Sequence, residues 1–207
     1  MDTIRYTQDP DLVFDTRYPE VNLRQGAHMY LDEAIAEVYL VCGNDVINDG
    51  NHWRIFFVLA SASVADGRSI HIDMLKKNPG EPAHREYGEP PIGPDGSLHF
   101  VYKKYGVTTA RFAFVDLPLS AVAGRVTVRM VLTMVVQKRM QYYRYSPGKN
   151  GCRFWMRTLI AELQNQGLLQ SPAAMVAADQ IINNVYSATG IFQPVEIEEG
   201  KFLDPNF

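Results

Sequence analysis

The residue best suited to covalent chemistry is Cys152, which stands at the start of a predicted helix. The permissive residue Gly151 precedes it, so a loop leads directly into the first helical turn. Unpaired N–H groups and the macrodipole at a helix N-terminus favour an anion, which helps a thiol there to lose its proton. Cys152 also shares the helix stripe of Trp155, Leu159 and Leu163, which directs its sulfur toward the protein body. The position predicts a nucleophilic thiolate.

A second interpretation of Cys152 stays open, because free cysteine is among the most buried residue types and often packs as a small hydrophobe. Cys42 lies in an apolar predicted strand just before Gly43 and is expected to fill the core. The N-terminus has no apolar signal region, so a reducing, cytoplasmic location is expected. Both thiols are therefore predicted to be free.

A nucleophilic thiolate needs a histidine within hydrogen-bond reach. His52 begins one predicted strand and His71 lies on the next, so either one could serve as the base for Cys152. Asp73 shares a strand face with His71 and could orient its imidazole, although a solvated strand face shows the same pattern. The remaining histidines are interpreted as surface residues: His28, His84 and His99.

The elements that must position these residues predict an α+β fold. Alternating or apolar β-prone runs predict strands at 35–41, 53–59, 69–74, 98–102 and 110–115, the second and third forming an antiparallel hairpin. Helical spacing predicts helices at 126–140, 152–166 and 171–187, and 192–197 is expected to add an edge strand. The β-branched content of 126–140 leaves a strand possible there, although the helix is favoured. We therefore expect an antiparallel sheet of about four to six strands packed against two or three helices.

A chain of 207 residues is long enough for one hydrophobic core of ordinary size, so a single domain is expected. Residues 1–26 are polar and turn-rich and are interpreted as an N-terminal arm on the surface, and 27–207 as a single α+β domain. Residues 76–97 are rich in proline and glycine and predict a long loop, either a lid or a surface excursion.

Composition excludes several classes of partner. A net charge of -3 and a pI near 5.9 give no positive field for nucleic acid. No apolar stretch of about 18 residues occurs, so no membrane span is expected. Walker-type loops, GxGxxG and zinc-ligand spacings are absent from the sequence, so neither a cofactor nor a metal is predicted. A small-molecule substrate is expected, and a homodimer is left open.

Aromatic residues near the predicted site suggest an apolar ligand pocket, although such residues are more often ordinary core. Arg153 could hold a carboxylate by paired hydrogen bonds, or make an exposed salt bridge. The predicted substrate-binding residues are Trp53, Asp73, Tyr143, Arg153 and Trp155.

Three short stretches together resemble the circularly permuted papain-like superfamily, which includes NlpC/P60 peptidases and lecithin:retinol acyltransferase-like proteins. They are Asn51–Val58, Ser69–Asp73 and Asn150–Trp155. The order of histidine, polar residue and cysteine matches, although Gly151 separates Asn150 from Cys152. The resemblance implies Cys152 as nucleophile, His52 as base and His71 as the orienting residue. Gly151–Trp155 also resembles small fungal proteins of unassigned function, which implies specialised small-molecule metabolism.

Two functions follow from these observations. One is a cysteine-dependent hydrolase, acyltransferase or cyclase acting on a small acyl or amide substrate. The other is a non-catalytic or non-covalent small-molecule-binding protein with an aromatic pocket.

Overall fold

The computed structural model describes residues 4–6, 12–45, 50–61, 67–77, 94–108, 111–121, 125–148, 151–187 and 192–203. Within these ranges lie three α-helices, α1 (Val128–Gln137), α2 (Cys152–Asn165) and α3 (Ala173–Ile182), and a short 3-10 helix (Ala27–Tyr30). The strands are β1 (Ile4–Tyr6), β2 (Leu12–Asp15), β3 (Val21–Arg24), β4 (Ile35–Asp45), β5 (Gly50–Leu59), β6 (Ser69–Lys76), β7 (Gly96–Lys103), β8 (Ala113–Asp116), β9 (Tyr143–Arg144), β10 (Asn184–Tyr186), β11 (Phe192–Pro194) and β12 (Lys201–Phe202).

One large sheet organises the fold. Its strands follow the order β1-β2-β3-β7-β6-β5-β4-β8, and β10–β11 and β12–β9 form two small separate pairs. Neighbouring strands of the large sheet are antiparallel except β3 and β7, which are parallel. The predicted α+β class and the β5–β6 hairpin are confirmed, but the sheet is larger than the expected four to six strands. The strand predicted at 192–197 pairs with β10 instead of joining this sheet.

The N-terminal segment accounts for much of the difference in strand count. Val13, Val21 and Leu23 are buried against the core, and β3 pairs with β7 from Val21–Leu98 to Arg24–Val101. The prediction of a surface arm over 1–26 is therefore wrong for the described part of it. Polar and turn residues in this segment masked a two-residue alternation that places apolar side chains inward.

The sheet has two distinct faces because side chains alternate along each strand. One face, which we call the helix face, carries apolar residues such as Cys42, Trp53, Ile72 and Phe100. The buried side chains of α1, α2 and α3 belong to the same apolar cluster, so these three α-helices lie on that side.

Helix boundaries follow local signals in the sequence. α1 begins after Thr127, whose side chain accepts a hydrogen bond from the Met130 N–H, and α2 begins at Cys152 as predicted. α2 ends before Gly167, which has φ +69° and supplies the left-handed residue expected of a C-terminal cap. Most of the predicted loop over 76–97, residues 78–93, lies outside the described residues.

No helix among the described residues has the length and apolar character needed to cross a membrane.

Candidate functional site

The face of the sheet opposite the helices carries a cluster of polar side chains, which we call the polar face. Three successive cross-strand pairs build this face: Arg54 of β5 with Asp73 of β6, Asp73 with His99 of β7, and His99 with Asn22 of β3. Four adjacent strands therefore contribute to it. The polar face comprises Asn22 and Arg24 of β3, His52, Arg54 and Phe56 of β5, Ser69, His71 and Asp73 of β6, and Ser97, His99 and Lys103 of β7.

Asp73 is the hub of this face. Its Oδ1 is hydrogen-bonded to Nε2 of His52, and its Oδ2 accepts a hydrogen bond from Nε of Arg54 at 2.8 Å. Burial would raise the pKa of the Asp73 carboxyl, but the interactions with His52 and Arg54 outweigh it and hold that pKa below its usual range. Asp73 is therefore an ionised carboxylate with a partner on each side.

His71 has no such partner. Its Nε2 lies 3.9 Å from Oδ2 of Asp73, which is too long for a hydrogen bond, and its Nδ1 is buried with no hydrogen-bond partner. Burial lowers the pKa of His71 to about 3, assisted by the positive charges of Arg54 and Lys103, so the imidazole is neutral near pH 7. A buried polar atom without a partner in the native fold calls for an explanation, and ligand binding is one.

A second polar network adjoins Asp73 on β3 and β7. Nε of Arg24 donates to Nδ1 of His99 at 2.8 Å, which fixes the proton of the neutral ring on Nε2. That Nε2 and the Asn22 amide both bond the Ser97 hydroxyl, at 2.9 and 2.8 Å. Because His99 is the donor in this arrangement, it is not set up to take a proton from Ser97, and a Ser–His nucleophile is not supported.

The interpretation of His99 as a surface residue is wrong, since it is 6% exposed and part of this network. Its alternation with Leu98 and Phe100 in a predicted strand was a usable signal, because it placed His99 on the face opposite the apolar one. The roles of Asn22 and Arg24 had no comparable signal, since they depend on the long-range pairing of β3 with β7.

Cys152 lies on the other side of the sheet. It is partly buried at the first residue of α2 and packs against the apolar cluster of the helix face. Burial raises the pKa of its thiol, and the charge and backbone N–H of Arg153 offset this only in part. The environment therefore opposes the thiolate expected from the helix terminus.

The structure does not bring Cys152 together with either predicted base. His52 and His71 point to the polar face, whereas Cys152 packs on the helix face, so the backbone of the sheet lies between them. The sequence did predict that His52 and His71 approach one patch that includes Asp73, but Asp73 is hydrogen-bonded to His52 and not to His71. Cys42 is fully buried as expected, and burial raises its pKa to about 12.

A match to a protein-family model covers residues 38–203, most of the chain. The model is described as a domain of unknown function, DUF7770. The chain belongs to this family. Neither the curated proteins nor the solved structures contain a match to it. The matched region of this DUF7770 protein includes β5, β6 and β7 of the polar face, and β3 precedes it.

The three aromatic residues predicted to bind substrate are core residues of this DUF7770 domain. Trp53, Tyr143 and Trp155 are at most 1% exposed. Nε1 of Trp155 donates to the Met140 carbonyl at 2.8 Å, and the Tyr143 hydroxyl donates to the Gly151 carbonyl at 2.8 Å. Burial to this degree leaves these three side chains almost no surface that a ligand could reach.

Arg153, the other predicted binding residue on the helix side, bonds the chain near the C-terminus, with Nη2 donating to the Glu196 carbonyl at 3.3 Å. A groove of about 800 Å³ opens nearby, between α2, α3 and residues 194–199. Its lining mixes apolar side chains such as Phe154 and Met175 with charged ones such as Arg157 and Glu199. None of the predicted site residues lines it.

The imidazoles and carboxylate of the polar face are not arranged as metal ligands. Across the described ranges, no three His, Cys, Asp or Glu side chains converge in a way that could hold a metal ion.

Proposed function

We propose that this protein binds a small polar molecule non-covalently, at the polar face around His71. The observation that carries the proposal is the buried, unpartnered Nδ1 of His71, beside a carboxylate whose own partners are already in place. Leaving a buried nitrogen unpaired costs about 1–3 kcal/mol, which a ligand bonded to that atom would recover.

Binding is favoured over acid–base turnover by the protonation states of the cluster. A general acid or base works best with a pKa near the operating pH. His71 has a pKa of about 3 and that of Asp73 is lowered as well, so neither group exchanges a proton readily near pH 7. Both are suited to holding fixed hydrogen bonds, which is what ligand recognition requires.

A cysteine-dependent hydrolase, acyltransferase or cyclase of permuted papain-like type is the competing proposal. It is favoured by the start of α2 at Cys152, directly after Gly151 with φ +122°. Against it stand the raised pKa of the thiol and the position of His52 and His71 on the opposite face. The two proposals use different residues, so variants separate them.

The test is a screen of small polar and aromatic compounds, with binding followed by the imidazole ¹⁵N shifts of His71. Compounds that bind should move those shifts, and His71→Phe, which keeps a ring of similar size, should weaken their binding. Cys152→Ala is the matched control on the helix face and should bind them unchanged. Binding that depends on Cys152 and ignores His71 would favour the thiol enzyme, and a screen without any compound that shifts His71 would refute the binding proposal.

A further inference from the structure

The side chain of Arg54 indicates most directly which chemical class of ligand the polar face would bind. Within the described part of the chain, this guanidinium makes one hydrogen bond, from Nε to Asp73. Its two Nη groups have no partner there. The side chain is 25% exposed, so those groups are reachable from solvent although the Asp73 beneath them is buried.

Arg54 and His71 are close enough to contact one small ligand. Arg54 pairs with Asp73, and His71 lies two residues away on the same strand face, which makes the two side chains diagonal neighbours. Diagonal neighbours in an antiparallel pair are about 7–8 Å apart at the backbone, within reach of long and aromatic side chains. The side chain of Arg54, with its unpaired Nη groups, and the imidazole of His71, with its unpaired Nδ1, are therefore neighbours on the polar face.

Charge around this region is in positive excess. Arg24, Arg54 and Lys103 surround the single carboxylate of Asp73, and the pKa of Lys103 is lowered by burial and by Arg54. Among the described side chains of β3 to β8, the other acids on this face are Glu37 and Asp116. Register places both more than about 10 Å from Arg54, beyond the screening length at physiological salt.

An aromatic wall stands beside these cations. Phe56 is fully buried, and its ring centroid lies 5.0 Å from that of His71 and 6.5 Å from that of Tyr105. Tyr105 is 41% exposed. A ligand held by Arg54 would therefore meet aromatic surface as well as charge.

We propose that the ligand of the polar face is a small carboxylic acid with an apolar or aromatic body. Its carboxylate takes the two Nη groups of Arg54, the end-on fork that remains once Nε is bonded to Asp73. His71 Nδ1 bonds a neighbouring polar group of the ligand, and the exposed ring of Tyr105, which lies beside the buried Phe56, contacts the body. This inference rests on the binding function proposed above and narrows it to one chemical class.

The experiment compares benzoate with benzamide, a neutral molecule of nearly the same shape, by isothermal titration on the full chain. Benzoate should bind at least about tenfold more tightly. Arg54→Lys keeps a positive charge next to Asp73 but removes the fork, and it should abolish that preference. Arg153→Lys, the same change on the helix side, should leave the preference intact. Urea unfolding of each variant checks that it is folded.

Each remaining outcome decides the question. Equal binding of benzoate and benzamide, with His71 shifts for both, would overturn the carboxylate assignment while the binding function survives. Inorganic phosphate binding at least as tightly as benzoate would overturn it in favour of a phosphate ligand. Absence of benzoate binding would also overturn it, and the compound screen on His71 then decides separately whether the binding function stands.

Discussion

Cys152 and His52 lie on opposite faces of one β-sheet. Cys152 opens α2 on the helix face, whereas His52 is hydrogen-bonded to Asp73 on the polar face. The two residues that the sequence suggested as a catalytic pair therefore belong to different environments, one apolar and one polar. The candidate site is therefore centred on the carboxylate of Asp73 and not on the thiol of Cys152.

Removing the charge of Asp73 should destabilise the fold strongly. In Asp73→Asn, His52 and Arg54 lose their shared partner in a buried setting, and breaking a buried pair costs about 3–5 kcal/mol. Urea unfolding measures the change. Asp32→Asn is the control, because Asp32 is 78% exposed in its pair with Arg129 and should cost less than about 1 kcal/mol. An equal loss of unfolding free energy in the two variants would contradict the role of Asp73 as the hub of the polar face.

Stability should fall as the pH drops below about 6.5. The folded pKa of His71 is about 3, so the unfolded chain binds the extra proton between pH 6.5 and 3 and is favoured there. At pH 5 this amounts to about 2 kcal/mol, from about 1.4 kcal/mol per pH unit. Asp73, whose pKa is also lowered, adds a loss only below about pH 4, its ordinary value.

The variant His71→Phe should flatten this dependence between pH 7 and pH 5, measured as the unfolding free energy at a series of pH values. His28→Gln, which removes a partly buried histidine from a different site, is the matched control. An unchanged slope in His71→Phe would show that His71 takes up its proton in the folded state at an ordinary pH.

Cys152 should react slowly with iodoacetamide. Burial raises the pKa of its thiol, so the reactive thiolate is scarce near neutral pH and alkylation should increase only above the pH at which a free thiol titrates. The rate is followed by mass spectrometry across pH, with Cys152→Ala identifying the labelled site. A Cys152 that titrates well below a free thiol would revive the nucleophile hypothesis.

The residue before Cys152 should resist substitution. Gly151 has φ +122°, and a Cβ placed on it would lie 2.6 Å from the Tyr143 hydroxyl oxygen. Gly151→Ala should therefore cost several kcal/mol, combining strain with a displaced core tyrosine. Gly167→Ala has only the strain of φ +69° in open space and should cost about 1 kcal/mol. Thermal unfolding compares them, and a smaller loss for Gly151→Ala would contradict the packing described around Tyr143.

Local patterns were sufficient to predict much of the fold. The alternation of Ser69, His71 and Asp73 with apolar neighbours placed these three on one face, and the helical spacing after Cys152 gave the start of α2. Both signals lie within single elements, where side-chain periodicity reports directly on burial.

The relation between elements was not predictable in the same way. Whether a strand turns its histidine toward a helix depends on which face the helix covers, and this is decided by packing over the whole sheet. Sequence spacing therefore could not show that Cys152 and His52 are separated. The place of β3 in the large sheet was not predicted for a related reason, since its neighbour β7 lies about 75 residues further along the chain.

The parallel pairing of β3 with β7 also affects how the chain folds. The first three strands must wait for most of the sheet to be synthesised before they can dock, and contacts so distant along the chain slow folding. Until they dock, the outer edge of β7 exposes unpaired backbone groups that attract other chains. Expression of a form shortened at its amino end would leave that edge permanently open, and aggregation is the expected result.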